Sequence, residues 1–276
     1  MENALCFGAA GGGERLFDEI AQRYTIIGFV DNDKRKAGGN IRGITIHEPE
    51  IGLKMDWDVI VITSAPGLES IKNQLLNMGV DRGQIDTSFI ENPLISRITF
   101  LKRMAQIQNP KTASVAEAGV FEGDFAKWIN TYYCNQTLHL FDTFEGFDER
   151  DISKEGGLSE AEVGDYSNTS MEAVLEKMPY PEKIVFHKGY FPETASDIKD
   201  SFCFVNLDLD LYEPTYQGLR YFENRMIPGG IILVHDYFAT NFQGPQKAVD
   251  QFIRETNGRY AMYPIGDGIS VMITGF

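Results

Sequence analysis

Apolar positions recur along the chain in two successive sets. Each set alternates between short strand-like runs and segments with helical spacing. In the first, Ala4-Leu-Cys-Phe7 is an apolar run that ends in Gly8-Ala-Ala-Gly-Gly-Gly13. Leu16, Ile20 and Tyr24 then recur at the spacing of one helix face. Thr25-Ile-Ile-Gly-Phe-Val30 predicts the next strand, ending at Asp31-Asn-Asp33 and the basic turn Lys34-Arg-Lys36. Trp57-Asp-Val-Ile-Val-Ile62 predicts a third strand, followed by a helix from Leu68 to Met78. Strand, glycine turn, helix, strand is the order of a parallel βαβ unit. Residues 1–91 therefore read as a smaller α/β domain.

Pro93 and Pro110 bracket a stretch in which Leu94, Ile98, Leu101 and Ala105 share helical spacing, so residues 92–110 read as a connecting helix. The second set fills residues 111–276. It predicts strands at Ser114–Ala118, Thr137–Phe141, Lys183–His187, Cys203–Leu207 and Ile231–Val234, with helices between them, including Tyr216–Asn224. A last helix at Gln246–Glu255 precedes two strands, Tyr260–Pro264 and Ile269–Thr274, joined by Ile265-Gly-Asp-Gly268. An Asp-Gly turn between alternating apolar runs is a strong hairpin signal. A parallel sheet closed by an antiparallel hairpin is a mixed sheet and departs from the dinucleotide-binding plan.

Composition narrows the class. At 43% hydrophobic residues over 276 positions, the chain can build two ordinary cores. The longest apolar stretches, such as Val59 to Thr63, are too short for a membrane span. Met1 to Gly13 lacks the basic start of a secretory signal, and Cys6, Cys134 and Cys203 are odd in number and far apart. Reduced thiols in a cytoplasmic protein are the expectation. A formal net charge of −15 repels phosphate backbones, which argues against a nucleic-acid partner. The expected partner is a small-molecule or glycan acceptor.

The chemistry concentrates at predicted strand ends. Glu117-Ala-Gly-Val-Phe-Glu-Gly123 closes one strand and opens a helix, where ligands of open α/β sheets bind. Its spacing is not Gly-x-Gly-x-x-Gly, so a cofactor with an adenosine and no phosphate fits better than a dinucleotide. Gly119 and Gly123 let the backbone approach the ligand. Asp142, at the next strand end, can accept both ribose hydroxyls, and Glu117 can meet a cationic amino-acid group. Asp208 and Asp210 end a later strand, and His235 and Asp236 end the one after it. Side by side, Asp208, His235 and Asp236 could hold a divalent ion with positions left for substrate. The segment Phe144 to Asp165 carries eight acids against two bases, the composition of a solvated loop or a mobile lid.

In the order Glu117–Gly123, Phe141-Asp-Thr-Phe-Glu-Gly-Phe147, Gly189-Tyr-Phe191, Asp208-Leu-Asp-Leu-Tyr-Glu213, Pro228-Gly-Gly230 and His235-Asp-Tyr237, the second domain resembles a known family. It is similar to the macrocin O-methyltransferase family of sugar O-methyltransferases, which includes enzymes that finish macrolide and aminocoumarin antibiotics. The resemblance implies a class I methyltransferase fold and S-adenosylmethionine as methyl donor. It places Phe121, Thr143, Gly189 and Tyr190 beside Glu117, Gly119, Gly123 and Asp142 in the cofactor pocket. It also implies magnesium held by Asp208 and the pair at 235 and 236. His235 replaces an Asp of the best-known members and lowers the negative charge of the site. Gly8–Gly13, Phe29-Val-Asp-Asn-Asp33 and Asn40-Ile-Arg-Gly-Ile44 resemble a small Rossmann-like nucleotide-binding module found beside enzymes of surface-polysaccharide assembly. Ala10 stands where that module has its second Gly, while Asp31 is available to a ribose. Nucleotide or nucleotide-sugar binding and a structural or dimerising role, which would make a homo-oligomer, are both open for the first domain.

The expected reaction aligns the sulfonium methyl in line with a sugar hydroxyl. A divalent ion lowers the hydroxyl's pKa, and Asp208 or His235 accepts the proton, with the resemblance favouring Asp208. A metal-dependent phenol or catechol O-methyltransferase and a non-catalytic nucleotide-binding module in polysaccharide assembly are the competing readings.

Overall fold

The structure, a computed structural model, describes residues 1–108 and 113–276. Pro110, and with it the end of the expected 92–110 helix and the start of the expected 111–276 domain, lies outside the described residues. The chain divides into two units, Met1–Ile95 and Ser96–Phe276.

The first unit contains β1 (Asn3–Phe7), α1 (Gly11–Arg15), α2 (Phe17–Arg23), β2 (Thr25–Val30), β3 (Asn40–Ile41), β4 (Ile44–His47), α3 (Pro49–Gly52), β5 (Val59–Ile62), α4 (Leu68–Asn77) and β6 (Ile85–Asp86). Its sheet has the order β3-β4-β2-β1-β5-β6, parallel except for the β3–β4 pair. Period-2 alternation sends Ala4 and Cys6 into one core and Leu5 and Phe7 into the other. The single helix expected over Leu16, Ile20 and Tyr24 is two short ones that meet at Leu16, after a glycine run with weak helical propensity. Leu16 and Ile20 are buried as expected, and Tyr24 is extended with its hydroxyl on Asp86.

The helix α5 (Ser88–Gln108) contains the division between the units. The second unit continues with β7 (Ser114–Ala118), α6 (Ala126–Tyr132), β8 (Leu138–Asp142), α7 (Glu149–Glu155), α8 (Met171–Glu176), β9 (Ile184–Lys188), β10 (Phe202–Leu207), α9 (Tyr212–Glu223), β11 (Met226–Val234), α10 (Gly244–Glu255), β12 (Ala261–Pro264) and β13 (Val271–Thr274). The order β12-β13-β11-β10-β7-β8-β9 is parallel apart from the hairpin strand β13, which runs antiparallel to β11 and β12. This is the expected mixed sheet. Every residue of β7 and β10 is buried, as a parallel strand covered on both faces requires. Cys203 lies in one of the two cores that flank the sheet. The chain leaves β7 toward β8 and β9, then returns to β10 on the other side. The ends of β7 and β10 therefore flank the crevice where ligands of open α/β sheets bind. Among the described residues, no helix is long and apolar enough to cross a membrane.

Candidate active site

Register brings the chemistry together. Asn206 is level with Glu117, and Leu207 is level with both Ala118 and Val234. Asp208 therefore emerges beside Gly119 on one side and His235 on the other. Gly119 has φ +82°, and a Cβ there would stand 1.8 Å from the Asp208 carbonyl oxygen. Only glycine lets the two loops approach this closely. Glu117 is buried, and its Oε1 accepts from Asn206 Nδ2 at 2.8 Å, while Oε2 has no partner. Burial, reinforced by the charge of Asp208, pushes the Glu117 carboxyl up to about 8. A buried acceptor without a partner at a switch point is a place for a ligand's donor group.

Asp142 ends β8 as expected, but it already has work there. Its Oδ2 accepts from Val120 N–H at 2.7 Å and from Phe121 N–H at 2.9 Å, and its Oδ1 accepts from Phe144 N–H at 2.7 Å. A carboxylate offers about four acceptor positions, so about one remains for a ribose. Asp142 thus shapes the β7 loop, in which Phe121 holds φ 47°. Thr143 Oγ1 closes its own turn on the Gly146 carbonyl at 2.7 Å. Gly189 N–H donates to the Asp142 carbonyl at 2.9 Å, which keeps it at the same strand end. Tyr190 follows Gly189 at this strand end. Its hydroxyl donates to Asp151 at 2.6 Å, and Arg150 lies over its ring. The first unit repeats the Asp142 device. There Asp31 Oδ2 accepts from Ala9 N–H and from Lys36, and Oδ1 accepts from Asp33 N–H, so Asp31 is less free than the sequence suggested.

At the ends of β10 and β11, Asp208, His235 and Asp236 each bring one ligand atom within 4.8 Å of the others. His235 Nδ1 lies 3.0 Å from Asp208 Oδ1 and 2.7 Å from Asp236 Oδ2. Asp236 and Asp210 hold left-handed backbone, φ 58° and 59°, of the kind retained where a site requires it. One nitrogen and two oxygens suit a borderline divalent ion, and the same spacing suits an imidazolium bound by two carboxylates. Burial and Arg97 oppose protonation of His235, yet Asp208 and Asp236 lift its pKa to about 9. An ion must therefore displace a proton to bind.

The two expected bases, Asp208 and His235, pair with each other. Burial resists ionisation of Asp208, but His235 and Arg97 outweigh it and hold the carboxyl well below the usual range. Both Asp208 oxygens are engaged, Oδ1 by His235 and Oδ2 by Arg97 Nη2 at 3.0 Å. Asp210 shows the opposite behaviour: burial, then the charges of Asp236 and Asp208, raises its carboxyl well above the ordinary value. Its signal in the sequence was the Asp-Leu-Asp spacing itself. The hydroxyl of Tyr166 is pushed up by burial and then by Asp210, Asp236 and Asp208, which puts it near this rim. Its ring packs edge-on against Phe121 and Phe147.

The acidic segment 144–165 is solvated over most of its length, with Glu145, Glu149, Glu160, Glu162 and Asp165 exposed. It contains α7, whose Asp151 and Glu155 are buried. Tyr190 holds the first, and the backbone N–H of Tyr212 donates to the second at 2.8 Å.

Residues 69–271 match the family described as macrocin-O-methyltransferase (TylF), and residues 1–85 match the one described as C2185-like, N-terminal. Among solved structures, the chain is similar to the O-methyltransferase NovP, at 20% identity and a TM-score of 0.54, covering 65% of this chain and 79% of that one. It is also similar to CalS11, a calicheamicin methyltransferase, at 18% identity and a TM-score of 0.52, covering 75% of this chain and 85% of that one. At these identities the likeness shows a common fold. No curated protein matches the chain.

Proposed function

The chain belongs to the macrocin O-methyltransferase family of S-adenosylmethionine-dependent O-methyltransferases, and from that premise we propose that it methylates a sugar hydroxyl with the help of a divalent cation. The observation that carries this reading is the juxtaposition, across the β7–β10 crevice, of an unpartnered buried Glu117 oxygen and the Asp208–His235–Asp236 rim. Glu117 would receive the donor's ammonium group, and the loop held by Asp142 would meet its adenosine. Asp208, His235 and Asp236 would hold the ion, and the chemistry it would supply there is Lewis-acid activation of an adjacent acceptor hydroxyl. Asp208 or His235 accepts the hydroxyl proton, and Asp210, two residues past Asp208 and with its carboxyl raised by burial and by the charges of Asp236 and Asp208, is a third acid at the same strand end. The ring of Tyr166 packs edge-on against Phe121 and Phe147 and gives the acceptor an aromatic surface beside this rim. The acceptor is a nucleotide-linked sugar, a polysaccharide precursor or a glycosylated metabolite, taken up in the cytoplasm.

A panel of nucleotide-linked sugars and a panel of catechols, each incubated with methyl-labelled donor, test the acceptor class. Label in a sugar is the expected result. Label confined to catechols would replace the sugar reading with the phenolic one.

A further inference from the structure

Buried charged groups are almost always paired, so an orphan among them asks for an explanation. Among the described residues, the buried side-chain atoms without a partner include one nitrogen, Arg97 Nε, and that nitrogen is close in the network to the orphan oxygen Glu117 Oε2. The connection runs through one side chain. Asn206 Nδ2 donates to Glu117 Oε1 at 2.8 Å, and Asn206 Oδ1 accepts from Arg97 Nη2 at 3.0 Å. Arg97 is 7% exposed and Glu117 2%, so bulk water does not serve either atom. The guanidinium is also fixed in place. It lies 3.8 Å from the centroid of the Phe125 ring, and Nη2 is shared between Asn206 and Asp208. The Nε edge is thus left over on a group that cannot turn to find another partner.

An orphan cationic donor and an orphan acceptor on one short network are complementary to a ligand that carries an anion and a cation side by side. An α-amino-acid group is such a ligand, and the donor of this family ends in one. We propose that Arg97 is a donor-binding residue, its Nε receiving the α-carboxylate of S-adenosylmethionine while Glu117 Oε2 receives the α-ammonium. The inference rests on reading the end of β7 as the donor pocket. It gives the helix before the sheet a part in recognition, and it makes the same guanidinium touch both the donor and Asp208. A purely structural Arg97 would neutralise Asp208 through Nη2 and have no use for a ligand carboxylate.

The test compares S-adenosylmethionine with its decarboxylated analogue, which keeps the adenosine, the sulfonium and the amine. Titration calorimetry on the full chain is expected to show the wild type preferring the carboxylated ligand by on the order of 10- to 100-fold, as for a hydrogen bond between charged groups. In Arg97→Gln the preference should collapse to within about threefold. Arg97→Lys, which keeps the charge but not the fork, guards against a variant that fails to fold and should lose most of the preference. Glu117→Gln should weaken both ligands alike and leave the ratio standing. A wild type that binds both ligands equally, or Arg97 variants with an unchanged ratio, would overturn the inference while leaving the donor pocket intact. A wild type that binds neither ligand would overturn the donor pocket and this inference with it.

Discussion

Replacing Asp142 with Asn removes one negative oxygen from a carboxylate that the structure gives three backbone donors. The amide oxygen can keep Val120 and Phe121, whose N–H groups share Oδ2 at 2.7 and 2.9 Å. The amide nitrogen then faces Phe144 N–H, which loses its 2.7 Å acceptor and meets a donor instead. Loss of one hydrogen bond to a charged group costs about 1.5–3 kcal/mol, and partial burial places this one near 2. For a unit of this size that is a fall of about 4–8 °C in Tm. The loss arises without any ligand, because the carboxylate holds the β7 loop. Scanning calorimetry of the ligand-free protein should therefore show the shift, and S-adenosylmethionine affinity should fall as well, by on the order of tenfold, as the loop relaxes. An unchanged ligand-free Tm in Asp142→Asn, whatever happens to affinity, would refute the loop-holding role and return Asp142 to a ligand contact alone.

Other expectations follow from single contacts. Burial, with a contribution from His139, pushes the His187 imidazole down to about 4, and burial also lowers His139 despite Asp200. A histidine with a depressed folded pKa stabilises above its unfolded value near 6.5 and loses that stabilisation as pH falls toward 4. His187→Phe should therefore flatten the acid side of the stability profile by roughly 1–2 kcal/mol, read from urea unfolding at pH 7 and pH 4.5, and an unchanged slope would exclude this pair. Gly119→Ala forces a side chain into left-handed backbone against the Asp208 carbonyl, and should cost about 2–5 kcal/mol and most donor binding; calorimetry with and without donor reads both, and a neutral result would contradict the close approach. His235→Asp should tighten magnesium at least about tenfold in direct titration, since magnesium prefers oxygen ligands. A weaker magnesium affinity in that variant would mean that the imidazole nitrogen is the better ligand.

The strands that build the site could be read from the sequence because each is buried for local reasons. Phe202–Leu207 is an apolar run whose burial is complete, and Ser114–Ala118 runs straight into the glycine loop. The two-residue strands Asn40–Ile41 and Ile85–Asp86 carry no pattern of their own and exist through their partners. The site divides in the same way. Asp208, His235 and Asp236 were visible because each sits one or two residues past a strand, where register brings neighbouring strand ends together. Arg97 lies off the helical spacing of Leu94, Ile98, Leu101 and Ala105, which carries no sign of its partners. Its partners Asn206 and Asp208 lie 109 and 111 positions away, beyond the reach of any periodicity. Asp151 and Glu155 were counted among solvated acids for the same reason. The Tyr190 hydroxyl and the Tyr212 N–H that bury them come 39 and 57 positions later. The free carboxylate expected at Asp142 was a matter of spacing, whereas its three backbone donors depend on how the loop folds back.

The most direct test of metal-assisted methyl transfer to a sugar follows label from S-adenosylmethionine into an accepted nucleotide-linked sugar while free magnesium is removed with a chelator and then restored. The rate should drop at least about tenfold on removal and return on restoration, and Asp208→Asn should fail to respond to added metal, because it loses a ligand at the rim. Undiminished transfer in the chelator, or full activity of Asp208→Asn in metal-free buffer, would contradict the account and leave alignment of donor and acceptor as the source of the rate.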